Sequence, residues 1–146
     1  WSIANPFVEI LGSAGIGILL GVLFDMLGVA VTSASQAPFV AMASKKVKGA
    51  KNSLLVLKHA EKFSNFCNDV VGDICGVVSG TAGAALAALA TAQFGFLPAA
   101  FWSVATSAVI SAMTVSLKAL GKGVAINQSK QIVEMIGKIL AVFIRK

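Results

Sequence analysis

Three long apolar segments, Ile10 to Thr32, Ser64 to Ala90 and Phe96 to Leu120, constrain this chain more than any motif in it. A helix needs about 20 predominantly apolar residues to cross the hydrocarbon core of a bilayer, and each segment reaches that length. Inside lipid every backbone N–H and C=O must find its partner within the protein, so each segment is expected to be an α-helix. Composition agrees: 57% of residues are hydrophobic and 12% charged, and the mean hydropathy is +0.86. A water-soluble domain carries about twice that share of charge. The fold class expected is therefore all-α integral membrane, with three transmembrane helices, a basic juxtamembrane amphipathic helix and a C-terminal amphipathic helix.

The net charge is +6, yet the twelve basic residues fall into two blocks, Lys45 to Lys62 and Lys118 to Lys146, with six in each. Long apolar runs separate them where a nucleic-acid binder would show polar surface, so the charge reports topology and no nucleic-acid partner is expected. An excess of Lys and Arg marks cytoplasmic loops. Both blocks are accordingly expected in the cytoplasm and the amino terminus outside, in a bacterial plasma membrane. The amino terminus carries no basic stretch, so a cleavable signal peptide is not expected. Cys67 and Cys75 stand eight residues apart, about 12 Å along a helix, which rules out a bond between them.

Residues 1–126 are expected to form the membrane domain and 127–146 a cytoplasmic amphipathic helix. Between the first two spans, Ser35-Gln36-Ala37-Pro38 reads as a helix start with Pro in the first turn. From about residue 38 to 62, Phe39, Ala43, Val47, Ala50, Leu54 and Leu57 share one face, and Lys45, Lys48, Lys51 and Lys62 point away from it. Such a helix lies in the headgroup layer with its lysines near anionic lipid; a solvated connector is the plainer alternative. After the third span, Ile132, Ile136, Ile139 and Phe143 repeat at helical spacing opposite Lys130, Glu134 and Lys138. The turn between spans two and three has Phe94, Phe96, Phe101 and Trp102 around it, an interfacial aromatic belt.

Each span has one small, polar face. On span two Asn65, Asn68, Asp69, Gly72, Asp73, Gly76, Ser79, Gly80 and Gly83 fall within roughly 140° of a helical wheel. Span three gathers Ser103, Ser107, Ser111, Thr114, Lys118 and Gly121, and span one Gly17, Gly21, Asp25, Gly28 and Thr32. Small residues four apart let helices approach closely, so packing accounts for the glycines and serines. Packing does not account for the carboxylates, because an ionisable group within a span is costly and marks a functional site by default. With the three helices alternating in direction, Asp25, Asn68, Asp69, Asp73, Thr114 and Lys118 all fall in the inner half. They are expected to line one inward-facing cavity. Two readings stay open: a hard divalent cation held by oxygen ligands, or Lys118 pairing with Asp69 or Asp73 as an internal counter-ion. No nucleophile stands beside a base and the single His lies apart from the acids, so the chain does not read as an enzyme.

The run VTSASQAPFVAMASKKVKGAKNSLLVLKHAEKFSNFCNDVVGDICG, from Val31 to Gly76, resembles the transmembrane domain of the cyclin-M and CorB/CorC magnesium transporters. Ser33-Ala34-Ser35-Gln36 resembles the Ser-Gly-Ser-Glu type motif that closes the family's first span. Cys67-Asn68 resembles the Gly-Asn motif that opens its second. Leu117 to Lys122 matches the Gly-Glu-x-x-Pro-Lys motif at the end of the third span only in position and in its last Lys. The resemblance implies a homodimer whose protomers each hold a magnesium ion with serine, asparagine, glutamate and backbone oxygens. Carried over residue by residue, Ser33 and Asn68 are the implied ligands, with Asp69 and Asp73 to supply charge. The departures are Gln36 for an acid and Lys118 where the family places its ion-binding glutamate. The implied alternative is a scaffold in which Lys118 fills the cation's place.

Overall fold

The structure is a computed structural model that describes residues 4–144, so Trp1, Ser2, Ile3, Arg145 and Lys146 lie outside it. The chain runs α1 (Ala4–Ser33), α2 (Ala37–Ser44), α3 (Ala50–Lys58), α4 (Ala60–Asn65), a π-helical stretch (Phe66–Val71), α5 (Gly72–Phe94), α6 (Ala99–Asn127) and α7 (Ser129–Phe143). Among the described residues three helices are long and apolar enough to cross a membrane: Pro6–Ser33, Ala60–Phe94 and Ala99–Asn127. The chain is an all-α membrane protein. The second span starts at Ala60, four residues before the expected Ser64, because α4, the π stretch and α5 continue one another without a break.

Within the bundle α1 packs against both α5 and α6. Its glycines set the spacing on the α5 side. A Cβ at Gly17 would lie 2.7 Å from Ser79 Oγ, one at Gly21 3.2 Å from the Cys75 Cβ, and one at Gly28 2.8 Å from Asn68 Oδ1. On the other side Gly121 of α6 admits Met26, whose Cγ would be 2.9 Å from an added Cβ. With no hydrophobic effect between helices in lipid, this close backbone approach is what holds them. The span-one small face expected from sequence is thus the α1–α5 interface.

At one end of the bundle α2, α3 and α7 form a second layer with its own apolar core of Val31, Phe39, Val56, Leu57 and Val133. Met42, Leu54, Phe63, Ile136 and Leu140 pack around it. The expected single amphipathic helix over 38–62 is divided twice. Lys46 (φ 56) and Gly49 (φ 88) adopt the left-handed conformation between α2 and α3, and the chain turns again at His59. Gly49 is needed there for a second reason: an added Cβ would stand 3.0 Å from the carbonyl carbon of Gly137 and 3.0 Å from the Lys138 nitrogen. Helix α7 therefore crosses the start of α3 at backbone contact. Its buried stripe is Val133 and Gly137 flanked by Ile136 and Leu140, while Ile139 and Phe143 are exposed, a rotation from the expected Ile132, Ile136, Ile139, Phe143 face.

At the opposite end the aromatic belt is a cluster centred on Trp102. Phe94, Phe96 and Phe101 place their rings 5.7, 6.2 and 5.9 Å from it, the last two edge-on. Edge-to-face contacts of this kind favour the aromatic quadrupoles. They brace the four-residue connection at 95–98.

Candidate functional site: buried oxygens at a π-helical turn

Asn68 sits in the middle of the π-helical stretch, which lies between the α4 and α5 parts of span two. An i→i+5 turn takes up an extra residue, so a wheel drawn for a regular helix slips across it. The sequence pattern put Asn65, Asn68, Asp69 and Asp73 on one arc. In the structure Ser64 and Cys67 are buried, Asn68 is half-buried, and Asn65, Asp69 and Asp73 are exposed. Asn68 turns inward toward Gly28, and its Nδ2 donates to Ser64 Oγ at 3.3 Å. Ser64 is a site residue that sequence reasoning missed, since it lay at the edge of the expected span and carried no charge.

Asp25 lies one turn before Gly28 on α1 and is only 7% exposed. It stands eight residues, about 12 Å, inward from the end of α1 at Ser33. Its Oδ2 and the Oδ1 of Asn68 are both buried without a hydrogen-bond partner. Two acceptor-only oxygens left bare inside a membrane span are expensive, by several kcal/mol for an ionised carboxylate. Each of them lacks a proton donor or a cation.

The other expected site residues distribute differently. Ser33 is exposed at the end of α1, and Ser35 is exposed with its Oγ accepting from the Ala37 N–H at 3.4 Å. Ser33, Asp69 and Asp73 do not share the inward orientation of Asn68. Thr114 is half-buried and donates to the Ile110 carbonyl at 2.8 Å. It lines a groove of about 380 Å³ between α5 and α6, floored by Gly17, Ile18 and Gly21 of α1, together with Gly72, Gly76, Gly80, Ser111 and Lys118. Gly76 and Gly80 there do not serve packing within the chain, for a Cβ at either would meet nothing within 4 Å. Further along α5 the two helices meet closely, where a Cβ at Gly83 would collide with Ile110.

The inner-half polar residues thus divide between two places, the α1–π junction and the α5–α6 groove. The counter-ion pairing also fails: among the described residues the one ion pair is Lys138 to Glu134 at 2.8 Å, and half-buried Lys118 reaches no carboxylate. Cys67 and Cys75 are both free, Cys67 buried and Cys75 half-buried against Gly17 and Gly21.

The fold and these sites define a polytopic α-helical membrane protein with a polar junction inside its spans. Comparison with family models, curated proteins and solved structures finds no match for the chain.

Proposed function

We propose that this is a transport-type membrane protein, without enzymatic activity, that handles a hard divalent cation, magnesium by the resemblance of Val31 to Gly76. The observation that carries this reading is the pair of buried, unpartnered oxygens, Asp25 Oδ2 and Asn68 Oδ1, at the α1–π junction. Ser64 Oγ, which accepts from Asn68 Nδ2 at 3.3 Å, adds an oxygen beside Asn68, and Asp25 lies one turn from Gly28 along α1. Carboxylate, amide and hydroxyl oxygens are the donor set that magnesium accepts, and it keeps waters for the positions the protein leaves open. The donors therefore fit such a cargo, with Asp25 supplying the charge and Asn68 the carried-over ligand. In this reading the basic α2–α3 and α7 layer lies on the cytoplasmic side of a bacterial plasma membrane with the amino terminus outside. The open Gly72, Gly76, Gly80 face is the surface through which two copies pair.

Magnesium uptake into proteoliposomes tests the proposal. Flux in the wild-type chain that vanishes in Asp25→Asn and falls in Asn68→Ala supports it. No flux above protein-free vesicles removes it.

A second reading is a non-transporting homodimeric scaffold in which Lys118 takes the cation's place. It is favoured by Lys118 lining the polar groove of α1, α5 and α6, where its ammonium would itself stand in place of a bound cation. Lys118→Glu that gains magnesium-dependent thermal stability supports this version, because a ligand bound only by the native state must stabilise it.

A further inference from the structure

The α2–α3 turn builds a concave basic site separate from the polar groups of the bundle. Lys46, Lys48 and Lys51 ring a depression of about 360 Å³ whose wall also includes Asn52 and whose apolar side is Val47. None of the residues lining it is acidic, and among the described residues none of the three lysines is paired with a carboxylate. The N–H groups of Lys51 and Asn52, at the start of α3, find no carbonyl acceptor, whereas Ala50 binds Val47 O at 3.2 Å and Ser53 binds Gly49 O at 2.9 Å.

The turn is also held in place before any ligand arrives. Lys46 has a left-handed backbone, unusual for a residue with a side chain. It is fixed by its N–H to Ala43 O at 3.1 Å and by the next N–H, that of Val47, to Met42 O at 3.0 Å. On the other side the backbone of Gly49 rests on that of Gly137. Side chains anchored on a fixed backbone lose less freedom on binding than lysines on a free loop. The position suits a lipid, since α2 begins only four residues after the end of the α1 span and α7 two residues after the end of α6. Both helices are therefore tied to the bilayer surface.

We infer that the α2–α3 turn is a binding site for the phosphate group of an anionic lipid headgroup. Three ammoniums and free backbone N–H groups around one concavity match a compact, multiply accepting anion. The exposed valine beside them matches the glycerol and acyl edge of a lipid and has no role toward free phosphate.

The test uses the whole chain in nanodiscs of phosphatidylcholine with increasing phosphatidic acid, read as the shift in melting temperature. Phosphatidic acid is expected to stabilise the wild type. Lys46→Asn with Lys48→Gln and Lys51→Gln should weaken that response at least about tenfold, each lysine near an anionic surface contributing to binding. A control that removes the same charge elsewhere, Lys58→Gln with Lys62→Gln and Lys122→Gln, should keep most of it. Asn is chosen at position 46 because it tolerates the left-handed backbone; if the triple variant fails to fold, Lys48→Gln with Lys51→Gln carries the same comparison. Equal loss in both sets would reduce the effect to diffuse surface charge and overturn the site. A full shift produced by inorganic phosphate in pure phosphatidylcholine would also overturn it, as would no response to phosphatidic acid.

Discussion

Ser53 donates its hydroxyl to the Val133 carbonyl at 3.1 Å, joining two buried residues that stand 80 positions apart in the chain. This single bond ties the first basic segment to the last. It fixes both on one side of the three-helix bundle, and one turn further on α7 its companion contact is the meeting of Gly49 and Gly137.

The tightness of that crossing makes Gly137→Ala a severe change. The added Cβ would stand 2.7 Å from Gly49 O and 3.0 Å from the Ser53 nitrogen, both backbone atoms that cannot rotate away. Thermal melting in detergent is expected to show a loss of about 1–3 kcal/mol, the range for overpacking a well-filled core. Ser53→Ala alone should cost about 1 kcal/mol for its hydrogen bond. Adding Ser53→Ala to Gly137→Ala should not restore stability, because the backbone contacts remain; full rescue would show that the hydroxyl alone sets the spacing.

Asp25→Asn separates the cation proposal from a merely structural carboxyl. If Asp25 helps hold magnesium, the wild type should melt higher with the ion, by about 2.7 kcal/mol of stabilisation at a hundredfold excess over Kd, and the variant should show no such shift. Replacing a buried, unpartnered carboxyl oxygen by an amide of the same shape should leave the ion-free variant about as stable as the wild type. Equal magnesium shifts in both proteins would count against Asp25 as a ligand.

Gly76 and Gly28 give opposite expectations for the same substitution. Gly28→Ala forces Asn68 Oδ1 out of its place at 2.8 Å and should destabilise the monomer by about 1–3 kcal/mol. Gly76→Ala meets nothing and should leave the monomer within about 1 kcal/mol, the scale of Gly-to-Ala helix propensity. Gly76→Leu, read by crosslinking or energy transfer between labelled copies, should then lower association if this face pairs two chains. Unchanged association would place the dimer contact elsewhere.

Glu134 offers a small and signed pH effect. The hydrogen bond from Lys138 and that residue's charge hold the Glu134 carboxyl below its usual range. A carboxyl whose value is lower in the folded state stabilises above its unfolded value and loses that contribution as pH falls through the folded one. The pair is largely solvent-facing, with side chains 58% and 30% exposed for Lys138 and Glu134, so only a few tenths of a kcal/mol is at stake. Glu134→Gln should therefore lower stability by less than about 0.5 kcal/mol at neutral pH and abolish this acid-side slope. A larger loss would mean that α7 depends on the pair more than its exposure indicates.

Sequence pattern was a good guide where one long property sufficed. The spans were legible because some twenty apolar residues have a single stable arrangement in lipid. The stripe Gly17, Gly21, Gly28 was legible as an interface for the same kind of reason: small residues four or seven apart fall on one face. The candidate site was only partly legible. Asp25 and Asn68 stood out as polar groups in apolar runs, but Ser64 did not, and Asp69 and Asp73 were expected to join a site from which they face away. The break of the amphipathic helix at Lys46 and Gly49 depended on a contact with Gly137, far along the chain.

What the amino-acid sequence determined by itself is the solvent of this protein and the number of times it crosses it, because hydropathy is summed residue by residue over long windows. Which polar atoms are left bare, which glycines are filled and which lie open, and that α7 closes over α3, were decided only by tertiary packing. Each of those depends on the meeting of two surfaces distant in the chain, and one inserted helical residue at Phe66–Val71 is enough to change which side chains face one another.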